Sequence, residues 1–429
     1  MFSVSWNNFF HFMEYFTYFR RSIEPRLARL LTQFSVVVVA GPRQIGKTTL
    51  VSRPPFGVDR EYLTLDDPAL LEDARSAPTD FVSRAPRVTI DEVQRAPELL
   101  LAIKRQVARK RSAGRFLLTG SADLLALGSV ADHLPGRAAY LDLEPLTRQE
   151  RFARPDDSGL TALLTARDVN DARDVVSARP ICPEPTDEAI VRGGFPEPAI
   201  SGDATLRGPW FEGYVRTFIE RGVTDIARVS DSLDLRRVLL ECAARLGGLL
   251  NQSDVARAAG LPQTTVHRYL HILSAARLLD LVTPYARNAS PSLVKAPRVY
   301  MRDVGLAAHL AGVRPGRPLR EFREYGALLE NLVLSNMRAW ASTQTEPPAI
   351  HDWRLRNGLE VDFVVDFDDR VVPIEVKASS SVGLGDLRGL EAFLDAHSRR
   401  TPFGVVLHGG DRVEKLTSRV VGLPIRRVI

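Results

Sequence analysis

The 429-residue sequence predicts an α/β chain of several modules: a parallel sheet carrying a phosphate-binding loop, a helix-turn-helix with a wing, and a second α/β unit at the C-terminal end. Three observations carry this expectation. The valine run Val36–Val39 feeds directly into a loop bounded by Gly41 and Gly46. Between Leu249 and Leu270, a capped helix, a Gly260-Leu-Pro turn and a second helix follow one another. From Gly358 to Lys377, apolar and acidic residues alternate on either side of Asp368-Asp369.

Composition bounds the class. Hydrophobic content of 45% and charged content of 25% are those of ordinary globular chains and exclude collagenous or wholly disordered ones. No run approaches the roughly 18 apolar residues of a membrane helix, so no membrane association is expected. Cys182 and Cys242 are too few for a disulfide framework or a four-cysteine zinc site, and a reducing cytoplasm is the expected compartment. Met1–Arg20 is crowded with aromatics, but its positive charges follow the apolar part, unlike a signal peptide. It reads as an amphipathic helix docked on the body or an over-extended start, and it carries no assigned function.

Ser35–Ala40 reads as a buried strand. Gly41-Pro42-Arg43-Gln44-Ile45-Gly46-Lys47-Thr48 then gives the G-x-x-x-x-G-K-[ST] pattern, and Thr49 opens a helix. Such a loop curls backbone N–H groups around phosphate oxygens at a helix N-terminus. Lys47 is expected to reach the β- and γ-phosphates of ATP, and Thr48 to hold Mg²⁺. Only six lysines stand among the 57 basic residues, and Lys47 and Lys377 fall in the two strongest motifs. The loop's partner is an apolar strand ending in acid, Arg87–Val93. There Asp91 is expected to bind Mg²⁺ through water and Glu92 to polarise the attacking water.

Further strands are expected at Tyr62–Leu65, Arg115–Leu118 and Ala138–Leu143, with a helix over Pro97–Lys110. This alternation describes a parallel sheet covered on both faces, with ligands at the carboxyl ends of its strands. Thr119 and Ser121 follow one such end, where they sense a γ-phosphate or cap a helix. The Ala153–Thr186 stretch, with its Pro and Gly turns, reads as a loop-rich lid. The expected division is an aromatic extension over 1–25, an ATPase core over 26–152, a lid and linker over 153–215, a helical winged-helix domain over 216–320, and a terminal domain over 321–429.

In the middle module, Val266, Tyr269, Leu270 and Leu273 form one apolar stripe on the second helix. Gln263, Thr264, Thr265, His267 and Arg268 are left on or near the exposed face, and Leu278–Val282 and Arg298–Met301 read as wing strands. Between Val282 and Tyr325, eight basic residues (Arg287, Lys295, Arg298, Arg302, Arg314, Arg317, Arg320 and Arg323) face only Asp303, Glu321 and Glu324. The same net charge, +5, is that of the whole chain. The segment reads as a DNA-facing surface or a solvated face, and the winged helix as a DNA reader or an interdomain scaffold.

The alternating C-terminal segment predicts a β-hairpin turning between Asp368 and Asp369. In an unbulged register, Asp362 lies opposite Glu375 and Glu360 opposite Lys377, all on one face. Val361, Phe363, Val365, Val372, Ile374 and Val376 then pack inward from the other. Directly opposed carboxylates repel. A shared Mg²⁺ with Lys377 beside it would turn that repulsion into a hydrolytic site, and a salt-bridge ladder on a solvated face is the plainer alternative.

From about Arg26 onward, the chain resembles the AAA family of P-loop ATPases, in particular prokaryotic proteins joining that module to domain of unknown function 4143. The resemblance rests on the Gly41–Thr48 loop, Thr89-Ile-Asp-Glu-Val-Gln94, Leu117-Leu-Thr-Gly-Ser-Ala122, Leu134-Pro-Gly-Arg137 and Arg192-Gly-Gly-Phe-Pro-Glu197. It implies that Arg137 completes a neighbouring subunit's nucleotide site in a homo-oligomer, or forms a structural salt bridge. The hairpin resembles the PD-(D/E)xK nuclease fold, a restriction-endonuclease-like α/β domain, through Glu-Val-Asp362 and Ile-Glu375-Val-Lys377. By that resemblance Glu330 joins Asp362 and Glu375 as a metal carboxylate. The resemblances imply an ATP-hydrolysing, DNA-associated protein with a nuclease-like end, or a nucleotide-dependent switch that grips protein or nucleic acid without cutting.

Overall fold

The computed structural model describes residues 18–121, 136, 138–154, 158–218, 232–286, 293–314 and 317–429. The first seventeen residues, Arg137 and Arg287 therefore lie outside the described residues, as does the side chain of Ser121. No helix among the described residues is long and apolar enough to cross a membrane.

The first module is a five-stranded parallel sheet. Helix α1 (Glu24–Gln33) leads into β1 (Val36–Gly41), and α2 (Lys47–Ser52) leaves the phosphate loop. Strands β2 (Glu61–Thr64), β3 (Val88–Asp91), β4 (Phe116–Ser121) and β5 (Ala138–Asp142) follow, in the order β2-β3-β4-β1-β5. β1 is buried throughout and splits its valines between two cores. Val37 and Val39 join Leu117 and Leu141 on one face, while Val36 and Val38 join Ile90, Phe116 and Leu118 on the other. A β-branched run buried on both faces is what a central parallel strand requires. The second face is closed by α3 (Pro68–Ser76) and α4 (Glu98–Arg109), the latter through Leu99, Leu100, Ile103 and Val107. The expected strands are all present, with ends shifted by at most three residues.

Arg21 and Ile23, expected in the aromatic extension, are buried in this module. The expected loop-rich lid is also not a loop. Helices α5 (Gly159–Thr165) and α6 (Val169–Ser177) occupy it, and they pack on the C-terminal unit. Trp340 Nε1 donates to Thr161 Oγ1 at 2.9 Å, and the Cys182 N–H donates to the Arg426 carbonyl at 2.7 Å. The polar turns of this stretch resemble those of a loop. What they hid is a helical apolar stripe of Leu160, Leu163, Leu164, Val169, Ala172 and Val176, all buried.

Helices α7 (Ser232–Ala243), α8 (Gln252–Ala259) and α9 (Gln263–Ala275) build the middle module. Asn251 caps α8 by accepting from Ser253 N at 3.1 Å, and Gly260 ends it in the left-handed conformation. Val266, Tyr269, Leu270 and Leu273 are buried, as their spacing predicts. Strands β6 (Leu279–Val282) and β7 (Arg298–Met301) pair antiparallel, and α10 (Val304–Leu310) leaves β7 through Asp303, whose side chain caps it.

The C-terminal unit is a mixed six-stranded sheet, ordered β12-β13-β11-β10-β9-β8. Its strands are β8 (Ala349–Arg354), β9 (Glu360–Asp366), β10 (Val371–Lys377), β11 (Gly404–His408), β12 (Glu414–Lys415) and β13 (Val420–Pro424). The long helix α11 (Tyr325–Thr343) packs with Phe363, Val365, Val372 and Ile374. Helix α12 (Arg388–Ala396) covers the opposite face with Val361, Val364 and Val371.

The hairpin pairs in the expected register, from Val371↔Asp366 to Ile374↔Phe363. Beyond that point the expected alternation fails, and so does the alternative of a solvated face. The pairing of β8 with β9 steps from His351↔Val364 to Trp353↔Val361, a bulge at Asp362–Phe363. Val361 consequently joins Val364 rather than Phe363. And the carboxylates are not on a solvated face: Asp362 and Glu375 are each only 5% exposed.

Candidate functional site

The phosphate loop is shaped by its glycines. Gly46 has φ +94°, which side-chain-bearing residues rarely adopt, and a Cβ on Gly41 would fall 2.6 Å from the Leu143 carbonyl oxygen. Gln44, between them, is also left-handed at φ 59°. The loop delivers Lys47 and Thr48 to the start of α2. Lys47 Nζ lies back along the loop, donating to the carbonyls of Pro42 at 2.8 Å and Gly41 at 3.2 Å.

Thr48 Oγ1 donates to Asp91 Oδ2 at 2.8 Å, so the parallel order brings the two expected Mg²⁺ residues together across 43 positions. A hydroxyl and a carboxylate oxygen converging beside a phosphate loop fit an octahedral ion that keeps most of its waters. Thr119 is fully buried: its hydroxyl donates to Asp91 Oδ1 and accepts from the Glu92 N–H at 3.2 Å. It braces both acidic residues. Glu92 holds φ 58°, and its Oε2 accepts from Gln94 Nε2. Arg43, Ile45 and Thr49 stay in the loop and first helical turn, as expected.

The middle module presents Gln263, Thr264, His267 and Arg268 to solvent, with Thr265 half-buried. His267 accompanies His271, their Nε2 atoms 3.2 Å apart. The basic segment divides. Lys295, Arg314, Arg317, Arg320 and Arg323 are exposed, whereas Arg298 and Arg302 are buried among carboxylates and are not available to a phosphate backbone.

Arg298 lies at the centre of the C-terminal acidic cluster. Its side chain is 4% exposed. Nη1 reaches Asp362 Oδ1 at 3.1 Å and Glu330 Oε2 at 3.5 Å, Nη2 reaches Glu360 Oε2 at 2.6 Å, and Nε lies 3.9 Å from Asp352 Oδ2. Tyr300 OH donates to Glu330 Oε2 at 2.7 Å, and Asp362 Oδ2 accepts from the Val376 N–H at 2.9 Å. Lys377 Nζ donates to Glu375 Oε1 at 2.8 Å, while Glu375 Oε2 and both Asp352 oxygens are buried without a hydrogen bond. Glu360, expected opposite Lys377, is instead shared by Arg298 and Arg354, because the bulge turns this end of β9 away from the hairpin ladder.

Burial, then the charge of Asp362, pushes Glu330 up to about 8. Burial likewise raises Asp352 to about 6 and raises Asp362, and with the Asp362 charge it raises Glu375 well above the usual carboxylate range. Burial opposes the Arg298 charge, but Tyr300, Asp362 and Glu330 outweigh it and raise its pKa. The structure thus gathers Glu330, Asp362, Glu375 and Lys377 around one cluster. No group of three or more His, Cys, Asp or Glu among the described residues is arranged to hold a metal ion. The cation between Glu330 and Asp362 is a guanidinium.

Four more residues belong to these sites and escape a reading by motif. Tyr62 OH donates to Asp91 Oδ2 at 2.7 Å. Arg21 ties the phosphate loop to the segment after β5, with Nη1 on the Ile45 carbonyl at 3.2 Å and Nη2 on the Glu144 carbonyl at 2.5 Å. Arg298 and Tyr300 form the third and fourth. They stand two apart on β7, so one face of that strand carries a cation and a hydroxyl, a pattern visible in the sequence once β7 is recognised.

Residues 33–152 match the AAA domain family, and they contain the parallel sheet, the loop and Asp91. Residues 184–317 match a domain of unknown function, DUF8612, and residues 325–428 another, DUF4143. Over 420 residues the chain is 28% identical to the uncharacterized proteins Rv2008c of Mycobacterium tuberculosis and Mb2031c of Mycobacterium bovis, spanning 96% of this chain and 84% of each relative. Among solved structures, a Walker-type ATPase of Pyrococcus abyssi is 15% identical, with 68% of this chain and 96% of that chain covered and a TM-score of 0.42. RuvB of Thermotoga maritima is 19% identical, with 62% and 92% covered and a TM-score of 0.28. The first module is similar to AAA domains and carries the phosphate loop at the end of β1.

Proposed function

We propose that this protein binds and hydrolyses ATP in its first module, and that the cycle switches a DNA-associated assembly whose C-terminal domain grips its target without cutting it. The observation that carries the first half is the Thr48–Asp91 hydrogen bond at the mouth of the phosphate loop, with Glu92 next in the chain. Thr48 and Asp91 would hold Mg²⁺, which when bound neutralises charge on the phosphate oxygens. Backbone N–H groups from Arg43 to Thr49 cradle the phosphates, Lys47 swings from the Pro42 carbonyl to the terminal phosphates, and Glu92 orients the attacking water.

DNA association is supported by the winged-helix-like order of α8, α9, β6 and β7. The exposed Gln263, Thr264, His267 and Arg268 and the exposed arginines downstream add to it. A PD-(D/E)xK-like fold is supported by the hairpin register and by Glu330 on the helix before it. The non-cutting reading is favoured over a nuclease by Arg298, which takes the oxygens of Glu330 and Asp362 that metal-assisted cleavage needs free.

The test is phosphate release by the full chain with ATP and Mg²⁺, with and without single- and double-stranded DNA, the same reactions being run on a gel. DNA-stimulated hydrolysis with intact DNA is expected. Cleavage abolished by Asp362→Ala would establish the nuclease instead, and hydrolysis indifferent to DNA would point to a protein-partnered switch.

A further inference from the structure

Arg298 holds one oxygen of each of Glu330, Glu360 and Asp362. Asp362 uses one oxygen for Arg298 and the other for the Val376 N–H, and Glu330 Oε2 receives both Arg298 and the Tyr300 hydroxyl. Glu360 Oε2 is shared by Arg298 and Arg354. Glu375 Oε2 and the two Asp352 oxygens are buried without a hydrogen bond. A guanidinium fork spreads one charge over several donors and so satisfies carboxylates from different elements at once. A divalent cation needs those same lone pairs, so the two occupants exclude each other.

The position of Arg298 is not that of a surface side chain folded in. It opens β7, whose backbone pairs with β6 through Arg298↔Val282, and its side chain enters the cluster from the middle module. Glu330 comes from α11, Asp352 from β8, and Glu360 and Asp362 from β9. We propose that Arg298 is the resident cation of this cluster and closes the C-terminal domain to divalent metal. This rests on reading the cluster as a nuclease-like carboxylate site. Removing the guanidinium frees Asp362 Oδ1, Glu330 Oε2 and the Arg298 side of Glu360, beside the already unpartnered Glu375 Oε2, and leaves the cluster short of one positive charge.

Mn²⁺ binding to the full chain without nucleotide, followed by calorimetry and by the paramagnetic signal of free Mn²⁺, tests this. Binding at the cluster is identified as the part that Asp362→Asn removes. The native chain is expected to show no such part at millimolar Mn²⁺. Arg298→Met, which keeps the apolar stem, is expected to gain one site per chain, at least about a hundredfold tighter, since native binding must first break a buried charge cluster. Arg298→Lys, which keeps a charge but loses the fork, is expected to gain a weaker site and serves if the methionine variant does not fold. A native chain that binds Mn²⁺ in the Asp362-dependent manner as tightly as Arg298→Met overturns the lock while leaving the carboxylate site intact. Folded Arg298→Met and Arg298→Lys that both gain no site overturn the nuclease-like reading itself.

Discussion

Arg298 and Arg302 bracket one short strand, and each is buried among carboxylates of a different module. Arg298 faces Glu330, Glu360 and Asp362 of the C-terminal unit. Arg302, directly after β7, donates to Glu144 just beyond β5 of the ATPase sheet and to Asp280 on β6 at 3.3 Å. Asp280 in turn receives Arg338 of α11 through two bonds of 2.9 Å. One strand of the middle module is thereby ion-paired to both of its neighbours.

Arg302→Met should be severely destabilising, because it leaves Glu144 facing Asp280 in a buried site. A buried pair broken on one side loses about 3–5 kcal/mol. Arg237→Ala is the control: its partner Asp234 sits on the same helix, the Arg237 side chain is 59% exposed, and a change within about 1 kcal/mol is expected. Urea unfolding midpoints compare the two, and equal midpoints would refute the network's role.

Lys47→Ala should abolish tight ATP binding. Glu92→Gln should leave binding intact and slow turnover by about 10²–10⁴-fold, the range for loss of a positioned general base. A fluorescent nucleotide titration reads the first and phosphate release the second; full turnover in Glu92→Gln removes that residue from the mechanism.

Thr119→Val keeps the shape of a fully buried side chain but removes the hydroxyl between Asp91 and Glu92. A hydrogen bond to a charged group contributes about 1.5–3 kcal/mol, so turnover should fall by about tenfold to a hundredfold with little change in nucleotide affinity. Loss of nucleotide affinity with turnover unchanged would place Thr119 against the nucleotide instead.

The pH dependence of stability has a defined sign. Glu330 keeps its proton to about 8 in the folded chain, against 4.5 as the ordinary value, with burial the main cause. Between those limits the folded state holds a proton that the unfolded state has released, so stability falls as pH rises and levels off above pH 8. Asp352, raised to about 6, acts the same way in the lower part of the window. Glu330→Gln mimics the protonated form and should show a shallower decline of Tm from pH 5 to pH 8 than the native chain. Parallel curves would count against it.

Replacing the exposed Arg314, Arg317, Arg320 and Arg323 with alanine should weaken DNA binding about equally across sequences. The slope of log K against log salt should fall by about 0.9 for each phosphate that is no longer neutralised. Unchanged affinity and slope would remove this surface from DNA binding.

What was legible in the sequence was local. The strand, loop and helix start of the phosphate site, the capped helices around Gly260, and the hairpin register are each set by neighbours within about twenty residues, where glycine conformation, caps and two-residue alternation act. Local cues failed where a second partner intervened. The 153–186 stretch hid its apolar stripe among turn residues, and the alternation of β9 broke at a bulge imposed by β8.

The sequence by itself determined the nucleotide loop, the acidic strand beside it, the helix-turn-helix, and which carboxylates stand on the C-terminal hairpin. Only the tertiary structure decided what those carboxylates face. Arg298 is 64 positions from Asp362 and 32 from Glu330, and in sequence it belongs to a basic segment that reads as a DNA-facing surface or a solvated face. Folding takes it the other way, because a charge whose stem is fixed on a buried strand is buried with the fold and must be matched there by opposite charge from whichever elements pack against it.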